Sequence, residues 1–190
     1  MLDSSSSSPL VSIIIPTYNR AFCIDRAVSS VINQTLTDWE LIIIDDGSDD
    51  ETPKIVNLYS NHPKISVYRT ESIGLPSVCN FALEKANGKY IIRLDGDDIF
   101  DENILLTLAN CLDRDDSLAL VFPDYYLVDE SGEIFKHVRN RKLYSDDHLM
   151  ELPPNGACTL VRTSVLMGIN GYRSDLGAQD GLDLWIKLKD

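Results

Sequence analysis

The first apolar stretch, Val11–Ile15, is continuous rather than alternating, the pattern of a strand covered on both faces. After it, Ile24, Ala27, Val28, Val31 and Ile32 recur at helical spacing and predict an amphipathic helix over Phe22–Asn33. Leu41–Ile44 is a second buried strand. Ser48 and Glu51 stand at capping-box spacing and Pro53 suits a first turn, so a helix is expected through Tyr59. Ile65–Tyr68 reads as a third strand, and Pro76 opens a helix that Gly88 stops after Ala86. Tyr90–Leu94 is a fourth strand. A helix marked by Ile104, Leu105, Leu108, Ala109 and Leu112 comes next, then a fifth strand at Leu118–Phe122. This alternation predicts an α/β fold with a mostly parallel central sheet, flanking helices and right-handed crossovers.

Beyond Phe122 the period changes. Tyr125–Val128 and Ile134–Val138 flank the turn Glu130-Ser131-Gly132 and predict a hairpin, a small antiparallel part toward the C-terminus. Arg139–Pro154 is polar and poorly patterned, as in a loop. Ala157–Val161 is a further short strand, and Leu182, Trp185, Ile186 and Leu188 mark a helix over Asp180–Lys189. Residues 1–9, with the serine run Ser4–Ser8, read as a disordered tail. Neither a repeat nor a linker between two cores is visible, so 10–190 is expected to be one domain.

Charge narrows the partners. Thirty acidic against 17 basic residues give a formal net charge of −13, which argues against nucleic acid and against unassisted docking on anionic lipid. A phosphorylated small molecule remains compatible if a divalent cation lies between the two sets of negative charge. No apolar run approaches the length of a membrane span, and the start lacks the pattern of a secretory signal. Cys23, Cys79, Cys111 and Cys158 form no CxxC pair and read as buried free thiols of a reducing compartment, with the cytoplasm as expected location. His62, His137 and His148 lack metal-ligand spacing and read as surface residues.

Ligands of open parallel sheets sit outside the carboxyl ends of the strands, so the segments leaving those ends are the place to look for chemistry. The first strand leads into Pro16-Thr17-Tyr18-Asn19-Arg20, the second into Asp45-Asp46-Gly47-Ser48-Asp49-Asp50, and the fourth into Asp95-Gly96-Asp97-Asp98. Crowded carboxylates raise one another's pKa unless something positive joins them. Asp95 and Asp97, at D-x-D spacing, offer hard oxygens suited to Mg²⁺ or Mn²⁺ shared with substrate phosphates, and Gly96 removes bulk where a ligand must come close. A solvated acidic turn capping the next helix is the alternative reading. An EF-hand would need Gly and Glu at its sixth and twelfth positions. Phe100 and Leu106 stand there counting from Asp95, and Asp50 and Val56 counting from Asp45. There is no GxGxxG and no GxxxxGK[ST], so a metal is the natural phosphate anchor.

The order PTYNR, DDGSDD, LDGDD and QDGLDLWIKL resembles the family 2 inverting glycosyltransferases with the GT-A fold, from about Val11 to Lys189. Val31-Ile32-Asn33-Gln34-Thr35 and then Asp38-Trp39-Glu40-Leu41 also match that family's phrasing. The resemblance implies transfer of a sugar, with inversion, from a nucleotide-diphosphate sugar (a UDP-sugar favoured) to a hydroxyl of a glycan, lipid-linked or protein acceptor. It implies a nucleotide-binding part over about 10–123 and an acceptor-side part over about 124–190. A homodimer, and a peripheral place at the inner face of a membrane through a partner, are compatible with it.

The resemblance also implies residue roles. Thr17 and Tyr18 meet the base, Tyr18 by stacking, and Asn19 and Arg20 shape that pocket. Asp46, with Asp45 beside it, accepts hydrogen bonds from the base, and Asn80 is the retained asparagine of the third helix. Asp95 holds the ribose, Asp97 binds the Mn²⁺ or Mg²⁺ that bridges the diphosphate, and Asp98 supports that shell. Asp180 takes the general-base position. From the residues alone, Tyr18 also reads as a semi-buried aromatic, Asp45 and Asp46 as turn formers, and Asp180 as a helix cap. Trp185 reads as core packing. Gln179 stands where the family often has Glu, and Cys79 where it often has Arg. Many relatives run on past the final helix, so the end at Asp190 is compatible with a trimmed catalytic core. Two other classes stay open: a sugar-nucleotide-forming nucleotidyltransferase, which would want a glycine- and basic-rich loop after the first strand, and a non-catalytic nucleotide-sugar-binding domain.

Overall fold

The computed structural model describes residues 8–129, 132–139, 156–176 and 180–189. Most of the expected tail and loop, together with His148 and Gln179, lie outside them. All seven residues of β1 (Val11–Thr17) are buried, as its unbroken apolar run requires. Next come α1 (Ile24–Ile32), β2 (Trp39–Asp45), α2 (Thr52–Asn57), β3 (Ile65–Arg69), α3 (Leu75–Lys85), β4 (Tyr90–Arg93) and α4 (Ile104–Arg114). The second half holds β5 (Leu120–Val121), β6 (Tyr125–Val128), β7 (Ile134–Val138), β8 (Leu160–Arg162), α5 (Thr163–Gly168), a 3₁₀ turn at Ser174–Leu176 and α6 (Asp180–Lys189).

The main sheet runs β3-β2-β1-β4-β8-β5, and β6–β7 pair separately. β1 pairs in parallel with β2, from Val11↔Trp39 to Thr17↔Asp45, and with β4, from Val11↔Tyr90 to Ile14↔Arg93. Alternate strand residues face opposite sides. Ile13 and Ile15 pack with Ile24, Val28, Leu105 and Leu108 of α1 and α4, while Ile14 packs with Val78, Ala82, Leu166 and Leu184 of α3, α5 and α6. The chain steps outward from β1 to β3 and then returns to β4 on the other side of β1. A crevice therefore opens where β1 and β4 diverge at their carboxyl ends.

β8 is inserted between β4 and β5, antiparallel to both. Two expectations, the capping box and the burial of all four thiols, need correction. The capping box at Ser48 does not form. Ser48 Oγ accepts the Asn19 N–H at 2.9 Å, and Asp50 Oδ1 accepts the Thr52 N–H at 2.8 Å in its place. α3 ends with its C-cap at Ala86 as expected, and Gly88 also answers a packing demand. A Cβ there would lie 2.5 Å from the Ser12 nitrogen, so the close approach of β1 demands glycine. Cys111 is exposed and Cys158 half-buried, although all four thiols are free and Cys23 and Cys79 are buried as expected. α5 has no counterpart among the expected elements, since six residues are too few to show a period.

Candidate active site

The loop after β1 is held by the loop after β2. The Asp46 N–H donates to the Thr17 carbonyl at 2.8 Å, joining the two strand ends. Asn19, at φ 52°, exchanges two bonds with Asp49: its Nδ2 donates to Asp49 Oδ1 at 2.7 Å, and its Oδ1 accepts the Asp49 N–H at 3.0 Å. The Arg20 N–H donates to Thr52 Oγ1 at 2.8 Å and the Ala21 N–H to Asp50 Oδ2 at 3.1 Å. Backbone donors that would otherwise need water are thus taken up by β2's acidic loop, which fixes the strand-end geometry.

The adjacent Asp45 and Asp46 part ways. Asp45 is buried, ion-paired with Arg69, and accepts the Ser48 N–H at 3.1 Å. Asp46 Oδ1 accepts from Thr70 Oγ1 at 2.6 Å and the Ile73 N–H at 2.8 Å, while its Oδ2 accepts the Gly74 N–H at 2.9 Å. One carboxylate therefore organises the loop that starts α3.

At the end of β4, Arg93 Nε lies 2.9 Å from Asp95 Oδ1, and its Nη2 donates to Asp95 Oδ2 at 3.5 Å. Arg20 Nε lies 3.2 Å from Asp97 Oδ2. Desolvation first, then the negative charge of Asp95 and Asp97, pushes the Asp98 carboxyl up to about 6, with Arg93 opposing. Burial, then the charges of Asp98 and Asp95, pushes the Cys158 thiol up to about 12. That thiol is neutral at ordinary pH.

These ends enclose a cleft of about 300 Å³. Thr17, Tyr18 and Arg20 come to it from β1, Asp46 from β2, and Asp95, Gly96 and Asp97 from β4, with Leu75 and Val78 of α3 as an apolar wall. Thr17 Oγ1 is buried without a hydrogen-bond partner among the described residues. Tyr18 keeps 52% of its surface exposed, so it is an exposed rather than a semi-buried aromatic. A side chain at Gly96 would crowd its neighbours by a few tenths of an ångström. A Cβ would come 3.1 Å from Thr17 Oγ1 and 3.4 Å from Ile24 Cδ1.

Three expected site residues do not line the cleft. Asn19 and Asp45 stand behind it as loop ties. Asn80 Nδ2 donates to the Tyr172 carbonyl at 2.7 Å and its Oδ1 accepts the Tyr172 N–H at 2.8 Å, so its carboxamide clamps α3 to the segment before α6. Asp180 is the first residue of α6, and its side chain lies outside the described residues. Trp185 packs edge-on against Phe122 at 5.7 Å, which ties α6 to the end of β5. Sequence reasoning missed Arg93. Its signal was a lone cation inside the buried run Tyr90–Leu94.

Residues 12–166 match the family model described as glycosyl transferase family 2. The chain belongs to that family. It is similar to a chondroitin synthase of Escherichia coli, 37% identical over 186 residues that cover 96% of this chain and 27% of that protein. It is also similar to a hyaluronan synthase of Pasteurella multocida, 36% identical over 142 residues, covering 74% of this chain and 15% of that protein. The chain thus spans about a quarter or less of the length of these two relatives. Among solved structures, S. aureus TarS in complex with UDP-GlcNAc superposes with a TM-score of 0.77 at 22% identity, over 94% of this chain and 53% of that one. The mannosyltransferase PcManGT of Pyrobaculum calidifontis, in complex with GDP-Man and Mn²⁺, gives 0.67 at 21%, over 93% and 51%. This family 2 glycosyltransferase has the GT-A fold of those neighbours. Among its described residues, no group of three or more His, Cys, Asp or Glu side chains could hold a metal, and no helix is long and apolar enough to cross a membrane.

Proposed function

We propose that the chain transfers a sugar from a nucleotide-diphosphate sugar, a UDP-sugar, to an acceptor hydroxyl with inversion at the anomeric carbon. The observation that carries this reading is the single cleft that gathers Thr17, Tyr18, Asp46 and Asp97 from three strand ends. Tyr18 stacks on the base, and the lone pair left on Asp46 Oδ2 accepts a base N–H. The TarS and PcManGT complexes, with UDP-GlcNAc and GDP-Man, support a nucleotide-sugar donor. Relatives named chondroitin synthase and hyaluronan synthase support a growing polysaccharide as acceptor.

The residues fit a divalent cation of the Mn²⁺ or Mg²⁺ kind. Such ions need only one or two protein carboxylates when substrate phosphates complete the shell, and the half-exposed Asp97 carboxylate faces the cleft. Asp97 holds the ion, Asp95 is turned toward Arg93, and Asp98 backs the pair. When bound, the ion neutralises charge that grows on the departing nucleoside diphosphate. Asp180, at the start of α6, takes the proton from the acceptor hydroxyl as its oxygen attacks. The cleft walls exclude water that would hydrolyse the donor.

A thermal-shift panel of nucleoside diphosphates, with and without Mn²⁺, tests the donor reading. UDP is expected to raise Tm and Mn²⁺ to increase the rise; indifference of the protein to every nucleotide would sink it.

A further inference from the structure

Both carboxylates of the D-x-D turn already face a guanidinium, and the two pairs differ in their access to water. The Arg93 side chain is 2% exposed against 30% for Asp95, whereas Arg20 and Asp97 are 40% and 49% exposed. Arg93 belongs to β4, in register with Ile14, and its carbonyl accepts the Cys158 N–H at 2.7 Å. Charges that water reaches poorly are costlier to separate than exposed ones, so Arg93–Asp95 is the more firmly held pair. A pair half in water is weak, so Arg20–Asp97 is exchangeable.

Arg20 reaches Asp97 from the loop after β1, its Cγ lying close to Gly96. Its Nη1 lies 3.3 Å from both the Tyr18 and Asn19 carbonyls, and its backbone N–H is tied to Thr52 Oγ1. The guanidinium is therefore held at the cleft wall whether or not it touches Asp97. We propose that Arg20 is an internal stand-in for the divalent cation: it pairs with Asp97 in the empty cleft, competes with the ion for that carboxylate, and on displacement serves the donor's diphosphate. The proposal rests on reading the cleft as a donor site. Its physical basis is that a divalent ion on Asp97 cannot share that oxygen with a guanidinium 3.2 Å away without like-charge repulsion. The exchange leaves Asp97 with a positive neighbour in both states, which keeps the three clustered carboxylates from repelling one another when no donor is bound. The released planar fork matches phosphate oxygens.

The test titrates Mn²⁺ alone into the full chain, read by water-proton relaxation, and then UDP by calorimetry with and without Mn²⁺. Arg20→Met is expected to bind Mn²⁺ about 2- to 5-fold more tightly than wild type, the factor an exposed ion pair is worth. It should also bind UDP more weakly in the presence of Mn²⁺. Arg20→Lys should return Mn²⁺ affinity toward wild type without restoring UDP affinity, because an ammonium lacks the fork. Mn²⁺ affinity in Arg20→Met equal to or weaker than wild type overturns the proposal. So does absence of Mn²⁺ binding in both proteins, and metal-free UDP binding then shows whether the donor reading survives on its own.

Discussion

The cleft edge and the β6–β7 pair lie within one chain but are held in different ways. Around the cleft, side chains of one strand-end loop satisfy the backbone of another: Ser48 and Thr52 take the N–H groups of Asn19 and Arg20, and Asp46 takes those of Ile73 and Gly74. β6–β7 has its own ladder, from Tyr125↔Val138 to Val128↔Ile134, yet all four residues of β6 are exposed, and Phe135 is 67% exposed. A two-stranded ribbon with so little cover is marginal by itself. The contrast teaches that the cleft edge is cross-tied by side chains from neighbouring loops, whereas the exposed ribbon rests mainly on its own ladder.

Four substitutions would break or sharpen that contrast. The largest effect is expected from Asp180→Asn: kcat should fall about 10²- to 10⁴-fold, the range for a lost general base, with UDP–Mn²⁺ binding unchanged. Transfer assays beside thermal shifts check this, and wild-type turnover removes Asp180 from the mechanism. Asp97→Ala should lower metal-stimulated transfer about 10²- to 10³-fold, the range for a lost electrostatic contact to the transition state. A rate that still responds fully to Mn²⁺ would reassign the metal. Asp46→Ala should weaken UDP binding about 10- to 100-fold, the range for hydrogen bonds to a charged group, and should also lower Tm because three donors lose their acceptor. A variant that loses only one of these properties would show that the loop and the base do not share the carboxylate. Phe135→Ala should change stability by less than about 0.5 kcal/mol and leave UDP affinity intact. A loss several times larger in a denaturant titration would mean that the ribbon is packed after all.

Most of the sheet was legible because β1, β2 and β4 are covered on both faces, and continuous Ile-rich runs admit few other readings. Asp95 and Asp97 were legible as candidates because carboxylates crowded at a strand end are chemically conspicuous. Which acid faces the cleft was not. Asp45 and Asp46 are neighbours, and successive residues leaving a strand point to opposite sides, so one is buried on Arg69 and the other opens to the cleft. Asn80 is expected at the site only through the family resemblance, which carries over the asparagine of the third helix. Only the approach of Tyr172, 92 residues later in the chain, shows its carboxamide already used.

Local order of apolar and polar residues was enough to specify the strands, most helices, the hairpin and the acidic strand ends, since each depends on neighbours a few positions away. The placing of β8 between β4 and β5, the need for glycine at 88, and the partnering of Arg93 and Arg20 with separate carboxylates were settled in three dimensions. These features depend on atoms brought together from distant parts of the chain, or on how much water reaches a charge, and a linear pattern encodes neither directly.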